Sequence, residues 1–290
     1  MEIGIGLQWA DWRHMTSSST LTEVARNASD MGFTSLWSTD RLTARTGPPD
    51  SSEALVTLAS LIHVVPKMKL GVAVLVLPPR NAVIVAKQAA TLSLLSGGRF
   101  LLGIGAGWHE GESKLLGSDH ASRGKRMDES IEVMRRLWRE DKAAFDGQFY
   151  QFEDVTMAPR PVGDGVPLWI GGNSRVAIRR AATIGDGWLP SGPDPQTLRS
   201  GVEKLKELSS GRQMPTVAAT LFVDASLSSA ENKPRRPQVA GSVQQMVQTL
   251  REYESAGLEH LVINFMANDL GELTSQMRTF SQEVLPHFTE

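Results

Sequence analysis

The chain has 290 residues, enough for one large domain or two ordinary ones, and 41% of them are hydrophobic, enough for a substantial core. Lysine and arginine total 30 against 32 aspartate and glutamate residues, and the net charge of −2 gives no general attraction to nucleic acid or anionic membranes. The absence of cysteine excludes disulfides, thiolate catalysis, zinc–sulfur sites and iron–sulfur clusters.

The first half of the chain predicts four β-strands separated by amphipathic helices. The strands are expected at Ile3–Trp9, Phe33–Trp37, Leu70–Leu77 and Arg99–Ile104. Helices are expected from a capping box at Thr20–Glu23 to about Met31, from Asp50 and Glu53 to about Val64, and over Ala82–Leu95. The third strand is an almost continuous apolar run, which is typical of a parallel strand buried on both faces. This alternation predicts parallel βαβ units.

The second half predicts a long helix, an insertion and four more strands. The helix covers Arg123–Arg139, and the insertion, at about 143–166, contains a β-hairpin around the turn signal Asp146-Gly147. The strands are expected at Pro167–Gly171, Gly187–Leu189, Thr216–Val223 and His260–Phe265. Helices follow at Arg175–Thr183, at Gln196–Leu208, from a capping box at Ser242 and Gln245 to Ala256, and in a final stretch to about Val284, with a mobile loop at about 225–240. Eight strands and about eight helices predict a single (β/α)₈ TIM barrel over residues 1–290, with the hairpin inserted between strands four and five.

In such a barrel the active site lies where strands end and the following loops begin. The fifth strand ends at Gly171. Gly172, Asn173 and Ser174 follow it, and the next helix begins directly afterwards at Arg175. Glycines allow close backbone approach, and the free N–H groups of a helix N-terminus bind anions. The segment therefore suits the phosphate of a flavin-like cofactor, although an ordinary capped turn has the same pattern.

The fourth strand ends in a second glycine-rich stretch, from Gly103 to Trp108. Gly105 and Gly107 would let a flat ring lie against the barrel mouth, or would serve tight packing at the strand end. As a dinucleotide fingerprint the stretch is weak, because the spacing is G-x-G-x-G and no acidic residue is placed for the ribose.

Charged and aromatic residues at the other strand ends complete the set of candidates. Asp40 and Arg41 follow strand two, where the carboxylate suits a cofactor hydroxyl or Arg41, or a simple surface ion pair. His109 follows strand four, where an imidazole suits acid–base chemistry, although a solvated loop residue has the same pattern. The candidates to wall an apolar pocket are Trp9, Trp108 and Trp188, whereas packing roles are expected for Trp12, Trp37, Trp138 and Trp169. No histidine pair has metal-ligand spacing, so no metal site is expected.

Two long stretches resemble the luciferase-like monooxygenase superfamily, and most closely its actinobacterial branch of coenzyme F420-dependent oxidoreductases. The first, from Leu70 to Glu112, is LGVAVLVLPPRNAVIVAKQAATLSLLSGGRFLLGIGAGWHEGE. The second, from Phe145 to Pro190, is FDGQFYQFEDVTMAPRPVGDGVPLWIGGNSRVAIRRAATIGDGWLP. The resemblance implies a bacterial-luciferase-like barrel with a deazaflavin or flavin ring over its mouth.

The resemblance also implies positions for the cofactor. Its phosphate would lie at Gly172, Asn173 and Ser174, and Asp40 would lie near the ring or its tail. A non-proline cis peptide is expected at Ala73–Val74, in a bulge of strand three behind the ring.

Two positions depart from the sugar- and alcohol-oxidising relatives in this superfamily. Arg41 stands where they have histidine, and Trp108 stands where they have a catalytic glutamate. The usual acid–base pair is absent, which argues against the same alcohol oxidation. An arginine suits an anionic or carbonyl-bearing substrate, or the acidic tail of the coenzyme.

Three functions are compatible with these residues. The first is an F420-dependent oxidoreductase that transfers hydride between the coenzyme and a small organic substrate, acting as a reductase, with Arg41 and His109 near the reacting atoms. The second is an FMN-dependent monooxygenase supplied with reduced flavin, and the third is a non-catalytic flavin-binding barrel. A cytoplasmic protein without membrane or nucleic-acid partners is expected, because no signal peptide or long apolar segment is present. Relatives imply a homodimer, for which the face of Ala82–Leu95 offers an interface, with core packing as the alternative.

Overall fold

A computed structural model of the protein describes residues 1–7, 17–41, 52–227 and 237–288. Its strands are β1 (Glu2–Gly6), β2 (Ser35–Ser38), β3 (Lys69–Val76), β4 (Phe100–Gly105), β5 (Ala143–Asp146), β6 (Gln151–Val155), β7 (Leu168–Gly171), β8 (Gly187–Leu189), β9 (Thr216–Asp224), β10 (Val239–Ala240) and β11 (His260–Phe265). Eight of them, all except β5, β6 and β10, pair in parallel in chain order, and β11 closes the ring against β1. The predicted (β/α)₈ barrel is confirmed.

Helices surround the barrel and follow its strands. They are α1 (Ser18–Asp30), α2 (Ala54–Leu61), α3 (Ala82–Leu95), α4 (Glu110–Leu115), α5 (Arg123–Arg139), α6 (Arg175–Ile184), α7 (Pro195–Leu208), α8 (Val243–Ser255) and α9 (Leu270–Thr279). A π-helical turn at Phe280–Val284 and a 3₁₀ turn at Leu285–His287 follow α9. Within the described ranges, no helix combines the length and apolarity needed to cross a bilayer.

Helix starts follow the capping chemistry, with one correction. The predicted box at Ser242 and Gln245 is confirmed, since each side chain bonds the backbone N–H of the other. The predicted start at Thr20 is wrong: α1 begins at Ser18, and the Oγ of Ser17 accepts the Thr20 N–H at 3.1 Å. Hydroxyl side chains occupy every position from Ser17 to Thr20, so the sequence offers several caps, and the helix uses the first of them.

The predicted hairpin is present between β4 and β7, formed by antiparallel β5 and β6. Its turn is fastened to α5, because the Glu129 carboxylate accepts the backbone N–H groups of Gln148, Phe149 and Tyr150 at 2.6–3.0 Å. The Tyr150 hydroxyl reaches the barrel and accepts the Ala82 N–H at 2.9 Å. The insertion is thus bonded both to a barrel helix and to the start of α3.

Part of the segment predicted as a mobile loop at about 225–240 pairs with a barrel strand. Gln238 donates its backbone N–H to the Phe222 carbonyl and accepts the Phe222 N–H through its side chain. These bonds align β10 with the end of β9, so residues 237–240 are ordered by strand pairing. Residues 228–236 lie outside the described ranges.

The barrel interior is filled by side chains, as closed eight-stranded barrels require. An inner layer, separate from the core between strands and helices, consists of Trp37, Leu101, Trp169, Leu189, Ala218 and Val262. The rings of Trp37 and Trp169 are 5.2 Å apart. This layer forms a floor beneath the C-terminal mouth of the barrel.

Candidate active site

A cavity of about 370 Å³ opens at the C-terminal ends of the barrel strands, where this fold places its active sites. Its volume falls within the range of small-molecule sites, roughly 300–1,000 Å³. The described residues that line it are Gly6, Trp37, Thr39, Arg41, Ala73, Trp108, Ser191, Thr220, Phe222, Val262 and Asn264. Three sequence candidates, Arg41, Ala73 and Trp108, are brought together here. None of these described lining residues is a carboxylate or an imidazole.

Several lining residues were not among the sequence candidates. Asn264 was missed because only residues after the final strand were considered, whereas its side chain points into the mouth from within β11. Barrel strands alternate inward and outward, so the last inward residue of a strand also faces the mouth. An amide within the otherwise apolar run Leu261–Phe265 was the available signal. Trp37, assigned to packing, both packs in the barrel and lines the cavity.

The indole of Trp37 is held by a buried column of hydrogen bonds through the barrel. Trp37 Nε1 donates to Ser35 Oγ at 2.8 Å, and Ser35 Oγ lies 2.9 Å from His260 Nε2. His260 Nδ1 lies 3.1 Å from the Glu2 carboxylate, which also accepts from Lys69. Every group is satisfied if His260 is neutral, with its proton on Nδ1.

The pKa shifts of His260 and Glu2 agree with that arrangement. Burial lowers the pKa of His260, against the opposing effect of Glu2. The hydrogen bond with His260, together with Lys69, lowers the pKa of Glu2 to about 2. A neutral imidazole and an ionised carboxylate therefore persist at neutral pH.

Asp40 lies beside the mouth and fixes the end of β3. Its buried carboxylate accepts from Arg80 Nη2 at 2.8 Å and from the Val76 N–H at 2.9 Å. Burial raises the pKa of Asp40, and the Arg80 guanidinium opposes that rise. Asp40 does not line the cavity, so its predicted contact with a cofactor stays a prediction, and the contacts seen are those of a positioning residue.

The Ala73–Val74 peptide bond is cis, as predicted, and the β3–β4 register shifts between Val72 and Leu75. Val74 projects onto the glycines of the neighbouring strands. A Cβ at Gly105 or at Gly171 would lie 2.8 Å from a Val74 methyl group.

Position 107 also requires glycine, because a Cβ there would lie 2.7 Å from the Val76 side chain and because its φ is +75°. Gly105 and Gly107 are predicted to lie against a cofactor ring or to serve tight packing at the strand end, and Gly171 to allow close approach of a phosphate. In the structure they admit the side chains of β3. Their cofactor contacts stay a prediction.

The loop between β7 and α6, where a phosphate is predicted, is fixed by side-chain hydrogen bonds and leads into a capped helix. Ser174 caps α6 by accepting the Ala177 N–H at 3.2 Å, and Gly172 has a φ of +120°. The Asn173 amide bonds both backbone groups of Ser191, which fixes the loop. Exposed Arg175 adds positive charge at the start of the helix. These donors fit a phosphate, since helix N-termini present free N–H groups.

His109 and Trp108 form the start of α4, a short helix that was not predicted because a histidine caps it. His109 Nδ1 accepts the Glu112 N–H at 2.8 Å, which leaves Nε2 as the proton-bearing nitrogen of the neutral ring. Trp108 packs edge-to-face on His109 with ring centres 5.4 Å apart, and it is 77% exposed. Trp108 lines the cavity, whereas His109 supports it from the side.

The structure does not bring Trp188 to the mouth cavity. Its indole is buried and donates to the Gly172 carbonyl at 3.0 Å, and it lines a separate groove between α6 and α7. The period-2 alternation of a strand explains the difference, because Trp188 faces outward from β8. Trp9 lies outside the described residues.

Comparisons with known proteins agree with this architecture. The sequence model of the family described as luciferase-like monooxygenase matches residues 1–236. An uncharacterised protein of Mycobacterium tuberculosis is 40% identical over 157 residues, 54% of this chain and 54% of that protein. The chain thus spans about half the length of the first curated relatives it matches.

Relatives with named activities use different cofactors. The F420-dependent glucose-6-phosphate dehydrogenase of Amycolatopsis mediterranei is 28% identical, over 92% of this chain and 93% of its own length. The FMNH₂-dependent dimethylsulfone monooxygenase of Pseudomonas putida is 29% identical, over 63% of this chain and 52% of its own.

Solved structures share the fold at low sequence identity. A monooxygenase from Streptomyces bottropensis superimposes with a TM-score of 0.85 at 18% identity, covering all of both chains. An F420-dependent secondary alcohol dehydrogenase in complex with an F420–acetone adduct gives 0.83 at 20% identity, covering 100% of this chain and 99% of that one.

Proposed function

We propose a cofactor and a reaction from one premise, that this chain belongs to the luciferase-like monooxygenase family, whose relatives named above are F420- or FMN-dependent oxidoreductases. The proposed function is hydride transfer from reduced coenzyme F420 to a small carbonyl compound or an alkene conjugated to a carbonyl. The protein would act as a reductase.

The observation that carries the cofactor assignment is the extent of one alignment. The F420-dependent relative aligns over 92% of this chain and 93% of its own length. The FMN-dependent relative aligns over 63%. The donors at Ser174 and Arg175 fit the coenzyme phosphate, and Gly172 allows close approach of the backbone. A bound deazaflavin would supply hydride chemistry and would react little with oxygen.

The direction of transfer is inferred from the side chains of the cavity. Oxidation of an alcohol requires a base for the hydroxyl proton, and no described lining residue is a carboxylate or an imidazole. Reduction instead creates negative charge on the substrate oxygen, which a proton from solvent neutralises after the hydride is transferred. Arg41 and the Asn264 amide can stabilise that charge by hydrogen bonding, and Trp37 and Phe222 form apolar walls beside the reacting atoms.

The first test is a fluorescence titration of the purified protein with oxidised F420 and, separately, with FMN. Preferential binding of F420 supports the proposal. Preference for FMN, together with oxygen consumption when reduced FMN is supplied, would replace it with the monooxygenase function, which the Pseudomonas putida relative supports.

The second test concerns Arg41. Arg41→Ala is expected to lower kcat/KM for carbonyl reduction about 100-fold, the usual effect of removing one oxyanion donor. Arg199→Ala removes the same charge from the exposed face of α7 and serves as the matched control. Equal rates for the two variants would exclude Arg41 from the chemistry.

A further inference from the structure

The groove between α6 and α7, which the mouth cavity does not include, has a volume of about 470 Å³. Its floor is apolar and buried, formed by Ile178, Trp188, Pro190 and Pro193. Gly201 allows α7 to approach this floor, because a Cβ there would lie 2.1 Å from the Trp188 ring. The base of the groove is therefore formed by buried, closely packed side chains.

The rim of this groove carries only positive charge. Arg175 projects from the start of α6 and Lys204 from α7, and no described lining residue is acidic. Asp194, at the start of α7, has its carboxylate engaged by the Thr197 N–H and hydroxyl at 2.7 and 2.8 Å. The Lys204 ammonium contacts Glu207 in an exposed pair, which leaves donors for a ligand.

The groove is continuous with the candidate phosphate loop. Asn173 and Arg175 belong to that loop and also line the groove. Trp188, in the floor, donates to the carbonyl of Gly172 within the same loop. A ligand that continues beyond its phosphate would enter the groove directly.

We propose that this groove binds the acidic tail of the deazaflavin coenzyme, with Arg175 and Lys204 facing the tail carboxylates and the apolar floor contacting its aliphatic carbons. FMN ends at its phosphate and leaves such a groove unused, whereas F420 is a phosphodiester that carries a lactyl-glutamyl chain. This inference rests on the proposed cofactor and deepens it.

The test measures binding, not turnover. The affinity of the unmodified protein is determined by fluorescence for the tail-less deazaflavin riboside, for its phospholactyl form and for F420 with several glutamates, at about 0.15 M salt, where distant charges are screened. The same series is repeated with Lys204→Glu and with Lys206→Glu. Lys206 is exposed on the same helix but does not line the groove, so the two variants change net charge equally.

The expected result is affinity that increases with tail length and falls about fivefold or more in the Lys204 variant for F420 with glutamates. Neither variant should alter binding of the tail-less riboside by more than about twofold. Tail-independent binding, or equal effects of the two variants, overturns this inference and leaves the cofactor assignment standing. Absence of binding to every deazaflavin overturns both.

Discussion

The hydrogen-bond column beneath the mouth cavity can be tested through its central residue, Ser35. Ser35→Ala removes the acceptor of Trp37 Nε1 and the partner of His260 Nε2, which lie 2.8 and 2.9 Å from the hydroxyl. Ser35 is fully buried and both partners nearly so, so neither freed group can reach solvent. Each unpaired buried group costs about 1–3 kcal/mol, and the variant should lose about 2–4 kcal/mol of unfolding free energy.

Ser130→Ala is the matched control for this change. Ser130 lies in α5 and is 1% exposed, but its hydroxyl has no hydrogen-bond partner among the described residues. Removing an unsatisfied hydroxyl from a helix should leave stability unchanged or raise it by about 0.5 kcal/mol. Urea unfolding followed by far-UV circular dichroism gives both values. If the two alanine variants lose equal stability, the column does not hold Trp37 in place.

Three further changes follow from contacts within the barrel. Asp40→Ala leaves the mostly buried Arg80 without its closest partner and should destabilise the protein by about 3 kcal/mol in urea unfolding, with a smaller loss for Asp40→Asn, whose amide oxygen can still accept a hydrogen bond; equal losses would contradict a contribution from the hydrogen bonds themselves. The pKa of Glu2 is depressed to about 2 in the folded state, so the stability that it contributes is present above pH 4.5 and is lost as the pH falls toward 2. Glu2→Gln should flatten thermal stability measured across that range, and an unchanged pH profile would argue against the bond. Gly171→Ala places a methyl group 2.8 Å from Val74 and should cost about 1–3 kcal/mol, and adding Val74→Ala should restore part of that loss, which a double-mutant cycle measures.

The barrel itself could be predicted because each of its parts has a local signal. The helices α3 and α5 and the last barrel strand have the predicted bounds. Asn81 caps α3 through its side chain, and Gly97 lies just past its end. Such caps and breakers mark the ends of an element in the sequence alone.

The residues at the site were predicted less completely, because their roles depend on pairing between strands. The sequence showed that Gly105 and Gly171 end two strands, but the side chain that they accommodate, Val74, lies on a third strand. Whether Trp188 points into or out of the barrel depends on the phase of a three-residue strand, which is too short to show an alternation. The column beneath Trp37 joins side chains more than 200 positions apart, and no local pattern contains that contact.

The fastening of the inserted hairpin has a consequence for how the barrel can be re-engineered. One carboxylate, Glu129, gathers three successive amides of the turn, and Tyr150 then provides an acceptor for the first amide of α3 and bonds the Arg80 carbonyl. The inserted hairpin therefore connects α5 to the start of α3 at the rim of the barrel. Replacing the hairpin by a minimal linker would remove the Tyr150 hydrogen bonds that hold the loop containing Arg80. Loop grafts at the mouth should therefore keep both Tyr150 and Glu129.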